Sequence, residues 1–242
     1  MAGHSKWAKV KRLKGALDVK KGKIFAKIGR EITIAAKIGG GDPHMNPRLR
    51  MGILKARGAN MPVENVERAI KKGTGGGEAS TFDDLTYEVY GPHGVAMIVE
   101  ISTDNRNRTA AEIRMILSRN GGALATAGSV TRLFQRKGQM IIQRAAAGED
   151  KLMEVALDSG AEDFKAEEEG YEIITDQAHF EKVHKAIEAT GIKCDVAEVT
   201  SIPIITVPLA DPAAVAAVTK LIDALEDNDD VKDVYTNSEF SE

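Results

Sequence analysis

Ten positive side chains fall within the first thirty residues: Lys6, Lys9, Lys11, Arg12, Lys14, Lys20, Lys21, Lys23, Lys27 and Arg30. Asp18 alone opposes them there, and Lys71 and Lys72 add a further basic pair downstream. Ammonium and guanidinium groups at this density make charge-assisted hydrogen bonds to phosphates and release their counterions, which is the chemistry of holding a nucleic acid. Trp7, the sole tryptophan, sits inside the run. An indole among cations either stacks on a base or anchors the segment onto an apolar surface, and both readings stand.

The net charge of −3 conceals how the charge is sorted. Residues 1–72 carry +13, residues 73–144 carry +1 and residues 145–242 carry −17. Surface solvation alone does not send the two signs to opposite ends of a chain, so a polyanion at the basic end is expected. The acidic end repels phosphate and fits a protein partner or a structural role.

Catalytic and metal chemistry find no such support. No GxxxxGK[ST] run exists, so the glycines at 39–41 and 73–77 read as a helix stop and a linker. His179 and His184 are five apart, which on a helix separates them onto different faces rather than pairing them on a metal. Cys194 is the single cysteine and lacks a base nearby in sequence; it reads as a small buried residue. Glu167, Glu168 and Glu169 lack the spacing of a calcium loop and read as a solvated turn. No catalytic residue, metal or cofactor is assigned. One cysteine and the absence of an apolar span near 18–20 residues point to a reducing, cytoplasmic protein without a membrane partner.

Positioning these charges requires ordered elements. Residues 1–19 show no sustained period and read as a mobile basic arm. From Lys20 to Ile38, Ile24, Ile28, Ile32 and Ala35 recur at helical spacing, with Lys20, Lys23, Lys27 and Arg30 on a neighbouring stripe. Asn46-Pro47 caps a second helix with Leu49, Ile53 and Ala56 inward, and Pro62 opens a third with Val63, Val66 and Ile70 inward, closed by Gly73. Strands are expected at Thr86–Tyr90 and Val95–Ser102, then a helix from about Asn107 to Asn120. Residues 139–199 run β-α-β-β-α-β, the ferredoxin-like order. A strand at Ile204–Val207, a helix opened by Asp211-Pro212 and a strand at Val231–Tyr235 follow. In that insert Phe164 and Tyr171 lie beside Glu167–Glu169, which argues against a nucleic-acid platform there. The division is residues 1–78, a discontinuous domain of 79–134 plus 203–242, and an inserted acidic domain at 135–202.

GHSKW at the start, GREITIAAKIGGGDPHMNPRLR at 29–50 and ANMPVENVERAIKKGTG at 59–75 resemble the YebC/PmpR family. So do YEVYGPHGVAMIVEISTDNRNRTAAEIR at 87–114, GSVTRLF at 128–134 and VPLADP at 207–212, so the likeness spans essentially the whole chain. The resemblance implies an α+β protein of three domains, an N-terminal helical bundle and two α+β (ferredoxin-like) domains, one inserted in the other. It also implies a DNA-binding transcriptional regulator. Related proteins, including a mitochondrial translational activator of a cytochrome oxidase subunit, act on translation, so ribosomal RNA is the alternative partner. Members often carry His-Arg-Lys near position 11, where this chain has Lys11-Arg12-Leu13-Lys14; charge is kept and an imidazole contact is not. The Asp104–Arg108 loop matches the family and reads as the cap of the following helix or as a partner contact.

Overall fold

The computed structural model describes residues 18–75 and 82–240. They fall into two compact units, one of residues 82–135 with 201–240 and one of residues 18–75 with 136–200.

In the second unit the sequence opens with three helices: α1 (Asp18–Gly39), α2 (Pro47–Gly58) and α3 (Val63–Thr74). The isoleucine period of α1 buries Ile28, Ile32, Ala35 and Ala36 against Leu49 and Ala56 of α2 and Ala69 of α3. Gly40, at φ +84°, ends α1 in the left-handed region that glycine enters without strain. Asn46 caps α2 as expected, its Oδ1 accepting the Leu49 N–H at 3.0 Å. α3 lies beside α1 and runs the same way: Gly29 faces Met61, the Thr33 hydroxyl donates to the Ala69 carbonyl at 3.1 Å, and Gly73 faces Ala36. Two expectations are corrected here. Val63 is not inward but 70% exposed, because α3 turns Ala69 and Gly73 toward α1 and Val63 lies off that stripe. Gly73 does not close the helix, which continues to Thr74; a Cβ on Gly73 would stand 2.8 Å from that of Ala36, so glycine is what lets the helices approach. Residues 76–77 of the expected linker lie outside the described residues.

The same unit contains most of β4 (Phe134–Gln143) and of β7 (Val196–Pro203), with α5 (Glu149–Ser159), β5 (Asp163–Ala166), β6 (Gly170–Thr175) and α6 (Phe180–Ala189) between them. The sheet order is β5-β6-β4-β7, with β4–β6 and β5–β6 antiparallel, as the ferredoxin-like pattern requires. Met140, Ile142, Tyr171 and Ile173 of the sheet bury against Leu152, Ala156, Phe180, Val183 and Ile187 of the two helices. Met51 and Leu54 of α2 pack on this core, and Arg50 clamps Glu181 through Nε (2.8 Å) and Nη2 (2.5 Å). The basic helices thus rest on the acidic insert.

The first unit is built on the hairpin β1 (Asp83–Tyr90) and β2 (Ala96–Thr103), in register from Asp83↔Thr103 to Tyr90↔Ala96. The short β3 (Ala123–Leu124) joins β1, and β9 (Val231–Thr236) joins β2, giving the order β3-β1-β2-β9 with the hairpin central. Strands from both sides of the insert therefore share one sheet. Ile113 and Leu117 of α4 (Arg106–Arg119) and Val218, Leu221 and Leu225 of α7 (Pro212–Glu226) bury against Val89, Val99 and Ile101. The strand expected at Ile204–Val207 is displaced. Ile204 and Ile205 are exposed, and β8 (Val207–Leu209) pairs in parallel with β10 (Ser238–Phe240).

Candidate nucleic-acid interface

Lys6, Trp7, Lys9, Lys11, Arg12 and Lys14 lie outside the described residues. Lys20, Lys21, Lys23, Lys27 and Arg30 stand on α1. Their spacing puts Lys20, Lys23, Lys27 and Arg30 on one stripe, and Lys21 about 100° away from Lys20. Lys23 is exposed, whereas Lys27 and Arg30 are half-buried.

Lys71 and Lys72 are exposed in the last turn of α3. Because α3 runs parallel to α1, this pair sits beside the end of α1 near Ala36 and Lys37, not beside Lys23. At 1.5 Å per residue the two groups are separated by roughly 15–20 Å along the helix axis. Sequence reading missed Lys37, which is exposed, lies seven residues after Arg30 on the same stripe and joins the groups. The i+7 spacing was the available signal.

Chemistry elsewhere is structural. Burial first, then Glu188 and Asp195, pushes the Cys194 thiol up to about 12, so it carries no thiolate at neutral pH. His184 is buried and stacked on Phe180, and burial lowers its pKa. Asp176 and His179 pair at 2.8 Å while the same carboxylate accepts the His179 N–H at 2.7 Å, closing the turn that leads into α6. The nearby Ser159 hydroxyl is engaged by its own helix carbonyls. Among the described residues no group of three or more His, Cys, Asp or Glu could hold a metal. Likewise none of their helices is long and apolar enough to cross a membrane.

The insert does not offer its aromatics to bases. Tyr171 is 2% exposed, its ring lies 5.6 Å from that of Phe164, and the Arg144 guanidinium stands over it, also at 5.6 Å. The 104–108 loop caps α4, with Asn105 Oδ1 accepting the Arg108 N–H at 3.1 Å. Its arginines face carboxylates: Arg106 holds Asp83 and Arg108 holds the buried Asp230, which also accepts from Thr109 at 2.7 Å. A further device was invisible in sequence. Glu88 of β1 accepts the N–H groups of Gly128, Val130 and Thr131 at 2.5, 2.6 and 2.9 Å and fixes that loop.

Comparison with known proteins covers nearly the whole chain. Residues 5–76 match a family model described as the TACO1/YebC protein N-terminal domain, and residues 82–238 match one described as the TACO1/YebC second and third domain. A protein of Opitutus terrae named "Probable transcriptional regulatory protein" is 52% identical over all of this chain and 98% of its own length. One of Pelodictyon phaeoclathratiforme with the same name is 53% identical over all of this chain and 97% of its length. A crystal structure titled as a conserved hypothetical protein, Aq1575, of Aquifex aeolicus superposes with a TM-score of 0.82 at 43% identity, covering 93% of each chain.

Proposed function

The chain belongs to the TACO1/YebC family, and on that footing we propose that it is a regulatory protein that grips nucleic acid by its phosphates through residues 1–72. The observation that carries this is the sorting of charge, +13 over those residues, with Lys23, Lys27, Arg30 and Lys37 aligned along one face of α1. The names of the relatives favour DNA and transcription. Structured RNA and translation is the alternative, because the lysines at four of the five stripe positions from Lys20 to Lys37 meet phosphates that both nucleic acids carry. Lys6, Lys9, Lys11, Arg12 and Lys14 extend the same grip, with Trp7 either stacked on a base or anchoring the arm. Crosslinking in growing cells, followed by sequencing of bound DNA and RNA and mapping of crosslinked peptides, tests the reading. Crosslinks on residues 1–72 support it, DNA or ribosomal RNA then naming the target. Crosslinks confined to residues 145–242, or none above a non-binding control, refute it.

A further inference from the structure

The loop from α1 to α2 is fastened at nearly every step. The Gly40 N–H donates to the Ala36 carbonyl at 2.9 Å, and the Asp42 carbonyl accepts from Met45 and Asn46 at 3.2 and 3.0 Å. Asp42 Oδ1 accepts the His44 N–H at 2.8 Å. Asn46, only 4% exposed, donates through Nδ2 to the carbonyls of Ala35 (2.7 Å) and Gly40 (2.8 Å). Arg50 donates through Nη1 to the Pro43 carbonyl at 2.6 Å while its other nitrogens hold Glu181. Gly41 lies against Ile70 and Thr74 in the last turn of α3. A backbone held this way positions its side chains by construction rather than by slack.

Two large apolar side chains nonetheless face solvent here, Met45 at 79% and Ile38 at 71% exposure. They flank the close contact between Gly39 and Asn46. Single exposed apolar side chains are ordinary on a protein surface; what singles out this pair is its place on one pinned loop beside three exposed lysines. The surroundings select the partner. Lys37, Lys71 and Lys72 are exposed around the tip, and Asp42, the loop's carboxylate, is engaged by the His44 N–H. An apolar tip with a cationic rim complements bases flanked by phosphates.

We propose that Ile38 and Met45 form a wedge that enters a nucleic acid at unstacked bases, with Lys37, Lys71 and Lys72 on the neighbouring phosphates. This rests on the nucleic-acid reading above and adds a shape preference to it. An apolar wedge entering a duplex bears the cost of unstacking a base step, a cost already met at a bulge, and a thioether makes favourable contact with an aromatic ring. Bulges and loops are therefore preferred over perfect duplex.

The test uses the full chain, wild type and Ile38→Ser with Met45→Ser. The probes are an RNA hairpin carrying a fluorescent adenine analogue in a bulge and the same hairpin without the bulge. Wild type is expected to prefer the bulged probe and change its fluorescence. The double variant should bind that probe about tenfold more weakly, lose the fluorescence change and match wild type on the perfect duplex, with an unaltered salt slope. Met45→Leu in the wild-type background should retain the preference. A double variant that binds the bulge as tightly as wild type overturns the wedge while leaving the phosphate grip intact. Wild type that binds both probes equally also overturns the wedge, and wild type that binds neither these probes nor the same hairpins made of DNA removes the nucleic-acid reading itself. Both positions are exposed, so an unchanged melting temperature is expected, and Met45→Ser alone serves if the pair melts early.

Discussion

Asn46→Ala should loosen the tip of the helical region by a measurable amount. The side chain makes three hydrogen bonds, to the Ala35 carbonyl (2.7 Å), the Gly40 carbonyl (2.8 Å) and the Leu49 N–H (3.0 Å). A buried hydrogen bond contributes about 0.5–1.5 kcal/mol net, and loss of an N-cap about 0.5–2 kcal/mol, with the Leu49 bond common to both figures. The expected loss is about 2–4 kcal/mol. Hydrogen exchange of the full chain, followed by mass spectrometry on peptides covering residues 32–52, should show protection lower by roughly 30- to 700-fold. Asn46→Asp sharpens the test. Aspartate caps helices as well as asparagine does, but here it would point a carboxylate at two carbonyls, so it should be no more stable than alanine. An aspartate variant as protected as wild type, or an alanine variant within about 0.5 kcal/mol of it, would refute the reasoning, because the loop would then not be held by Nδ2.

Glu88→Gln should destabilise in a pH-dependent way. Partial burial works against ionisation of Glu88, but the N–H groups of Gly128, Thr131 and Val130 and the Thr131 hydroxyl outweigh it and bring the pKa from 4.5 to about 2. A depressed carboxylate stabilises the fold above its unfolded pKa and loses that contribution as pH falls through the folded one. Taken whole the shift is worth about 3 kcal/mol; solvent reaching the half-buried group leaves about 1–2 kcal/mol, present at neutral pH and fading between pH 4.5 and about 2 in urea titrations of wild type against variant. Gly73→Ala should force α3 away from α1 and lower stability by about 1–3 kcal/mol in the same assay, with no effect if the helices are not in contact there. We also propose that the sheet of β1, β2, β3 and β9 is a folding domain in its own right. Residues 79–134 joined directly to 203–242 should then unfold cooperatively, and a non-cooperative transition would count against it.

Local chemistry was legible in the sequence and tertiary proximity was not. Asn46-Pro47 and Asp211-Pro212 announce their helices because a cap acts over three residues, and both caps form. The β-α-β-β-α-β order was readable because each step changes period. Val63 reads as inward because the period of Val63, Val66 and Ile70 defines a stripe, whereas the stripe that meets α1 runs through Ala69 and Gly73. Gly73 reads as punctuation in the sequence because its role, close approach to Ala36, depends on a helix nearly forty residues upstream. Ile204 and Ile205 have strand propensity, but their side chains are exposed and β7 ends just before them at Pro203. Glu88 meets its loop across forty residues and left no local trace. Of the site, the basic stripe was visible as a spacing of lysines. The exposed tip was not, because Ile38 and Met45 beside a glycine cluster look like an ordinary helix end until the pinned loop shows them facing water.

The salt dependence of binding by the full chain tests the phosphate grip most directly. With ~5–8 phosphates neutralised by the arm and the α1 stripe, log K should fall with log salt at a slope of roughly −4 to −7 on duplex DNA or structured RNA. Replacing Lys9, Lys11, Arg12 and Lys14 by alanine should flatten that slope by up to about four and weaken all sequences alike, because phosphates carry no sequence information. A salt-insensitive affinity, or a quadruple variant that keeps the wild-type slope and loses only one preferred sequence, would contradict it.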